Sequence, residues 1–422
     1  MTVSSQTIPT QSASDRIPPG SRPRAIVIGG SMAGLFVALL LRRAGWDADV
    51  FERMGSELSS RGAGIVTHAE LFDVLQHAGI NTDEARVGVR VEGRRVFARD
   101  GTVSGSHPLE QVLTSWGHLY GLLRQAMPAA HYHHGRTLTR ISETATAVTA
   151  HFSDGSIETG DLLVGCDGIF STVRAQLAPQ STPAYAGYFA WRGLVDESDL
   201  TPETRAALCD HFAFSLPPGE QMLGYPVAGA NEALDRGQRR FNFVWYRPAP
   251  VDGVLKDLLT DSDGISHALS IPPNKIRPQV LDQMRADARD LLAPQFAEVV
   301  TRTHQPFIQV IQDLETPRMQ LSPRTVILGD AAFVARPHVG MGVTKAAGDA
   351  AALVRALAQP AATLPHALAA FAQAREPFGA AVVTRARQLG AYMQAQLLTQ
   401  EERDMAERHR HPEAIMAETA VA

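Results

Sequence analysis

The stretch GGSMAG, Gly29 to Gly34, stands directly behind the apolar run AIVI and directly ahead of LFVALLL. A glycine-rich turn in that position constrains the chain strongly, because it predicts a strand, a tight loop and a helix whose first amides face an anion. The spacing departs from GxGxxG: Gly29 takes the first glycine position and Gly34 the third, while Ser31 stands at the second, with Met32 and Ala33 completing the loop. Periodicity predicts a strand at 24–28, a helix at 32–44 and a second strand at 47–51, followed by Glu52 and Arg53. Ser31 suits an N-cap whose hydroxyl reaches free amides or a pyrophosphate, and Gly45 suits a left-handed C-cap. Glu52 lies 23 residues after Gly29. There a carboxylate can accept hydrogen bonds from an adenosine ribose and disfavours a 2′-phosphate. On its own the loop is a weak signal, since many α/β proteins carry one.

Composition narrows the partners. With 422 residues, 45% hydrophobic, the chain can bury two medium cores, and a formal charge of -5 offers no surface for neutralising nucleic-acid phosphates. A small-molecule partner is expected, with no nucleic acid and no membrane. The run LFVALLL is too short to span a bilayer. Cys166 and Cys209 are far apart without a CxxC, which argues against a disulfide scaffold or structural zinc and suits a cytoplasmic location. The Ser/Thr/Pro-rich residues 1–23 read as a disordered extension rather than a secretion signal.

Further along, TLTRI, AVTAHF and SIETG predict an antiparallel meander before a core strand, DLLVG. After Pro183 the aromatic-rich runs YFAWRGLV, FAFSL, QMLGYPV and FNFVWY predict an antiparallel sheet with a face for an apolar ligand, and 257–300 reads as helical. The strand TVILG then returns the chain to the first lobe. The expected fold is α/β: a discontinuous Rossmann-like nucleotide lobe at 24–182 and 303–358, an interleaved antiparallel substrate lobe at 183–302, and C-terminal helices at 359–422. Those helices would pack on the nucleotide lobe or serve a homodimer contact. The run HYHH, His131 to His134, lacks a matching carboxylate or cysteine set and reads as a solvated turn, so no metal is expected.

Two further segments carry a family resemblance. DLLVGCDGIFSTVR, Asp161 to Arg174, resembles the Asp-Gly fingerprint of the group A flavoprotein aromatic hydroxylases, which share the para-hydroxybenzoate hydroxylase fold. RTVILGDAAFVARPHVGMGVTKAAGDAA, Arg324 to Ala352, resembles their Gly-Asp fingerprint and the loop beneath the flavin. The resemblance implies tightly bound FAD: Asp330 on the ribityl chain, Asp167 and Arg174 serving FAD and the incoming nicotinamide, and Pro337, Gly340, Met341, Gly342 and Val343 under the ring. Asn often stands in the family where this chain has Thr344, so the resemblance implies contact with FAD through the backbone there. Arg61, in SSRGAGI, would lie near the isoalloxazine or the substrate entrance, or on the solvated surface.

The resemblance also implies the reaction. NADH or NADPH binds transiently, reduces FAD and leaves; O2 then forms a C4a-hydroperoxide that attacks an electron-rich ring. AYAGYFAWRGLV, QMLGYPVAG, FNFVWYRP and the serine in GGSMAG are similar to pyridine-ring hydroxylases of the 2,6-dihydroxypyridine type more than to phenol hydroxylases. His211, Tyr225 and His338 are the candidates for proton exchange with a hydroxylated ring, each with a structural hydrogen bond as the alternative. A hydroxylase of a phenolic or hydroxybenzoate ring, a flavin-dependent reductase or dehydrogenase, and a non-catalytic flavin-binding regulator are the other functions this pattern allows.

Overall fold

Every residue of the strand Arg24–Ile28 beyond the first is buried, because this strand ends up inside a six-stranded sheet. In the computed structural model, which describes residues 22–58, 64–82, 87–359, 362–393 and 397–421, it pairs in parallel with Asp47–Phe51 on one side and Leu162–Gly165 on the other. Thr325–Ile327 continues the sheet beyond Leu162–Gly165. Strand order reverses at Arg24–Ile28, and a crevice opens there past the carboxyl ends of the strands. The helix Met32–Arg43 supplies the crossover, with nine of its residues buried. The expected meander forms a separate three-stranded sheet from Leu138–Glu143, Val148–Phe152 and Ile157–Gly160.

The second large sheet has eight strands and draws on more of the chain than the expected limits 183–302 allow. Ala184–Asp196 lies between Arg240–Pro248 and Phe307–Glu315; Gln221–Val227 and His211–Ser215 follow outward. The edge of His211–Ser215 is then closed by the earlier strand Gly93–Phe97, in parallel, and by Val103–His107. This corrects the boundaries: 93–107 and 307–315 belong to the substrate sheet. A strand edge needs partners for its backbone groups, and sequence neighbours do not have to supply them.

The inner strands of this sheet are buried on both faces, for two different reasons. Trp191, Phe241, Phe243, Trp245 and Met222 pack against the helices Pro278–Leu291 and Pro294–Arg302. The alternate residues Tyr188, Phe212, Leu223, Tyr225, Val244 and Tyr246 face the nucleotide lobe. The helical reading of 257–300 holds from Pro278 onward; between Leu258 and Pro278 there is a single 3-10 turn, in a stretch with Pro272 and Pro273. The long helix Leu364–Gly390 packs Leu368, Phe371 and Val383 into the nucleotide-lobe core, the first of the two expected roles for the C-terminal helices. No helix among the described residues is long and apolar enough to cross a membrane. The expected extension lies almost wholly outside the described residues.

Candidate active site

Two connected cavities run between the lobes. The larger, about 530 Å³, is the nucleotide arm, and the smaller, about 230 Å³, is a chamber against the substrate sheet. Ile169, Asp330, Gly342 and Val343 line both.

Gly29 has φ +100°, and a Cβ there would sit 2.4 Å from the Cys166 carbonyl oxygen, so no other residue fits without moving the backbone. A Cβ on Gly34 would come within 1.9 Å of the Gly29 carbonyl oxygen, which fixes how closely the helix approaches its own loop. Ser31 has φ −84°, an ordinary value for a residue with a side chain. Its hydroxyl makes no cap hydrogen bond, contrary to the expected capping role; Ser31, Met32 and Ala33 line the nucleotide arm instead. Glu52 and Arg53 also line it. The Glu52 carboxylate accepts from the Gly30 amide (2.8 Å) and the Met54 amide (2.9 Å), so it braces the loop. A second lone pair on each oxygen is left for a ligand.

Asp167 caps the helix Thr172–Leu177, its Oδ2 accepting from the amides of Thr172 (2.7 Å) and Val173 (3.2 Å). Oδ1 is buried with no partner beside the same arm, and burial raises the carboxyl pKa. Arg174 does not line either cavity. Its guanidinium donates to the carbonyls of Ile169, Ser181 and Ala331, tying the Asp-Gly turn to the Gly-Asp turn. This corrects its expected place on the cofactor, although its charge does act on Asp167.

Asp330 faces the junction of the two cavities and is accessible from it, yet protein surrounds it closely enough to push its carboxyl pKa up. The turn before it is held by a cluster that the sequence reading passed over. Lys345 Nζ donates to the Gly329 carbonyl (2.9 Å), Asp349 Oδ2 accepts from the Gly329 amide (3.1 Å), and Arg375 donates to Asp349 Oδ1 (2.7 Å). Lys345 and Asp349 lie one helical turn apart in VTKAAGDAA, and that spacing is the available signal. Pro337, Gly340, Met341, Gly342 and Val343 line the chamber. Gly340 adopts φ +66°, and a Cβ on Gly342 would meet nothing within 4 Å, so the backbone there is open to a flat ligand. The helix Gly342–Leu357 points its amino end at this place, which favours negative charge. Thr344 turns away and hydrogen-bonds His68 (2.9 Å). Arg61 lies outside the described residues.

Of the three proton-exchange candidates the structure brings one into the chamber. Tyr225 lines it, its phenol pushed up to about 12 by burial. His211 does not line it, because strand alternation puts Phe212 on the cavity face and His211 on the other. His338 is buried under the loop, its two nitrogens engaged by Tyr188 Oη (2.9 Å) and Gln221 Oε1 (2.9 Å). Burial holds its pKa well below the ordinary value, so it is a neutral strut between the flavin-side loop and the sheet. Missed by sequence reasoning were Tyr246, Arg192 and Gln309, which also line the chamber. For Arg192 and Tyr246 the signal was the alternation within AWRG and FVWYRP, where a polar or phenolic side chain falls on the face opposite tryptophan.

The HYHH run also needs correction. Asp47 and Asp49 stand on the adjacent strand, and His131 Nδ1 lies 2.8 Å from Asp49 Oδ1. Arg24 shares Asp49 at 3.3 Å, which makes this an ion-pair network at the sheet edge.

The nucleotide arm fits FAD on several independent counts: the orphaned Asp167 Oδ1, glycine positions that leave no room for a side chain or open space for a ligand, and two helix amino ends facing the cavities. A family model described as an FAD binding domain matches residues 23–231, and one described as FAD binding domain-like matches residues 185–313. The 2,6-dihydroxypyridine 3-monooxygenase of Paenarthrobacter nicotinovorans is 34% identical over 78% of this chain and 81% of its own. The 3-amino-4-hydroxybenzoate 2-monooxygenase of Streptomyces cremeus is 32% identical over 87% and 86%. Among solved structures, 2,6-dihydroxypyridine-3-hydroxylase from Arthrobacter nicotinovorans superposes with a TM-score of 0.83 at 30% identity, covering 89% of this chain and 93% of that one. Klebsiella pneumoniae HpxO, solved with FAD and uric acid, shares the fold with a TM-score of 0.74 at 22% identity, over 94% and 93%.

Proposed function

The chain belongs to the FAD-dependent aromatic monooxygenases, and from that premise we propose that it hydroxylates a hydroxylated N-heteroaromatic ring of the pyridine type. The proposed donor is NADH or NADPH and the oxidant O2, with one oxygen atom entering the ring and the other leaving as water. The observation that carries this reading is the continuity of the two cavities at Ile169, Asp330, Gly342 and Val343. A cofactor held along the nucleotide arm meets a single-ring substrate in the chamber.

Bound FAD supplies the two-electron chemistry and the electrophilic oxygen; the chain's own residues supply position and a dry site. The amides at the start of the helix Met32–Arg43 would hold the pyrophosphate, Glu52 the adenosine ribose and Asp330 the ribityl chain. The amino end of Gly342–Leu357 would stabilise negative charge on the ring. Val66, Phe212, Leu223, Val244 and Ile311 keep water from the chamber. Tyr225, with its phenol pushed up to about 12, stays protonated near neutral pH and orients a ring oxygen by donating to it.

The test is a side-by-side screen of hydroxypyridines and hydroxybenzoates for stimulated NAD(P)H oxidation with product analysis. Stimulation and hydroxylation by a hydroxypyridine above any hydroxybenzoate is expected. The reverse order would favour the phenolic reading, to which the similarity with the aminohydroxybenzoate enzyme lends weight. Absence of both would overturn the proposal.

A further inference from the structure

Six arginines are buried among the described residues: Arg94, Arg174, Arg192, Arg239, Arg324 and Arg336. Five of them have two or more acceptor atoms, although the Nε of Arg94 is without one. Arg239 pairs with Glu197 and Arg336 with Asp313, while Arg94, Arg174 and Arg324 each reach at least two backbone carbonyls.

Arg192 is the exception. It is 8% exposed, yet among the described residues its only hydrogen bond runs from Nη1 to the amide oxygen of Gln309 (2.8 Å), and Nε is buried with no acceptor there. No carboxylate among the described residues pairs with it. A guanidinium stays charged in any protein environment, and a buried cation without a counter-ion is costly. Both Arg192 and Gln309 line the ring chamber, on the same face of the sheet as Tyr225 and Tyr246, whose phenols feel the Arg192 charge.

Among the described residues the chamber also lacks a base for a ring hydroxyl. His211 is on the opposite face, His338 is buried and engaged at both nitrogens, and burial raises the pKa of both chamber tyrosines. Asp330, the one carboxylate among the described lining residues of the chamber, stands at the junction with the nucleotide arm.

We propose that Arg192 is the anion anchor of the ring chamber and that the enzyme takes its ring substrate as an anion, whose charge replaces the missing counter-ion. The inference rests on the hydroxylase reading for the identity of the chamber. The anionic group is a ring oxyanion or a ring carboxylate. A ring oxyanion arrives already deprotonated, so a chamber without a base can still present an electron-rich ring.

The test is binding to the FAD-loaded enzyme by flavin difference spectra, without NAD(P)H. One pair of probes is 2,6-dihydroxypyridine, at a pH where it is ionised, against 2,6-dimethoxypyridine. The other is 6-hydroxynicotinate against 6-hydroxynicotinamide. In at least one pair the anion should bind about 10–100-fold tighter than its neutral partner, the worth of a charge-assisted contact. The pair in which this appears names the source of the charge. Arg192→Met should bring that pair together with FAD content and neutral-ligand binding kept, and Arg192→Lys should restore part of the preference. Equal binding within both pairs in the natural enzyme overturns the proposal, and that arm does not depend on the variants folding. A preference that survives Arg192→Met overturns it too. No turnover is needed, so an enzyme that prefers the anions but hydroxylates none of them would refute the hydroxylase reading and leave the anchor standing.

Discussion

In the nucleotide arm the backbone forms the binding surface, whereas in the ring chamber side chains from separate strands do. Gly29 and Gly34 matter for the atoms they lack, and Glu52, Arg174, Lys345 and Asp349 hold loops in shape through amides and carbonyls. The chamber instead gathers Arg192, Tyr225, Tyr246 and Gln309, one from each of four strands. The first arrangement is intolerant of added atoms and indifferent to much side-chain change. The second should tolerate conservative change in shape and respond to lost hydrogen bonds and charge.

The largest expected effect tests the backbone side. Gly29→Val should yield protein without flavin, because its side chain meets the Cys166 carbonyl and its φ becomes strained, while Ser31→Gly should keep full flavin content. The ratio of flavin to protein absorbance reads both, and equal retention would break the contrast. Next comes the strut behind the Gly-Asp turn. Asp349→Ala leaves Lys345 and Arg375 without their carboxylate, and thermal or denaturant unfolding should show a loss of about 3–5 kcal/mol. A loss within the range of an exposed pair would mean the cluster is not holding the turn.

On the chamber side the effects should be smaller and confined to turnover. Tyr225→Phe should lower kcat/KM by up to about tenfold with flavin content unchanged, as for one lost hydrogen bond. His211→Gln should leave kcat/KM as it is. If His211→Gln proved the more damaging, the alternation that sets the chamber face would be misread. The smallest effect concerns pH. The unfolded chain takes up a proton at His338 below about pH 6.5, the ordinary histidine value, while the folded protein holds that site neutral to a much lower pH. Stability from this residue is therefore present above that value and falls as the medium becomes more acidic. Melting temperatures across that range should fall in the natural protein and fall less steeply in His338→Gln.

The same contrast explains what could be read from the residues alone. Gly29, Gly34, Asp167 and Asp330 are legible because local backbone geometry demands them within a few positions of a strand end. For Ser31 two roles stayed open, a cap or a reach towards the pyrophosphate, and its hydroxyl makes no cap bond, since a hydroxyl's choice between cap and cavity depends on surrounding atoms. The chamber was harder to read. Whether His211 or Phe212 faces it depends on a one-residue register that FAFSL does not reveal, because both faces of that strand are buried. Arg192 lay in the open within AWRG, but its importance comes from what it lacks, a carboxylate partner, and the sequence does not display that. Gly93–Phe97 joined a sheet whose neighbouring strand begins at His211, a pairing that no local pattern announces.

In the proposed reaction, oxygen from O2 is placed on a hydroxylated heteroaromatic ring in this chamber. Its most direct measurement is mass spectrometry of the product formed from 2,6-dihydroxypyridine, NAD(P)H and isotopically labelled dioxygen. One labelled oxygen is expected on the ring carbon skeleton, with NAD(P)H consumed in equal amount. A product carrying no label, or NAD(P)H consumed with all the dioxygen recovered as hydrogen peroxide, would contradict it.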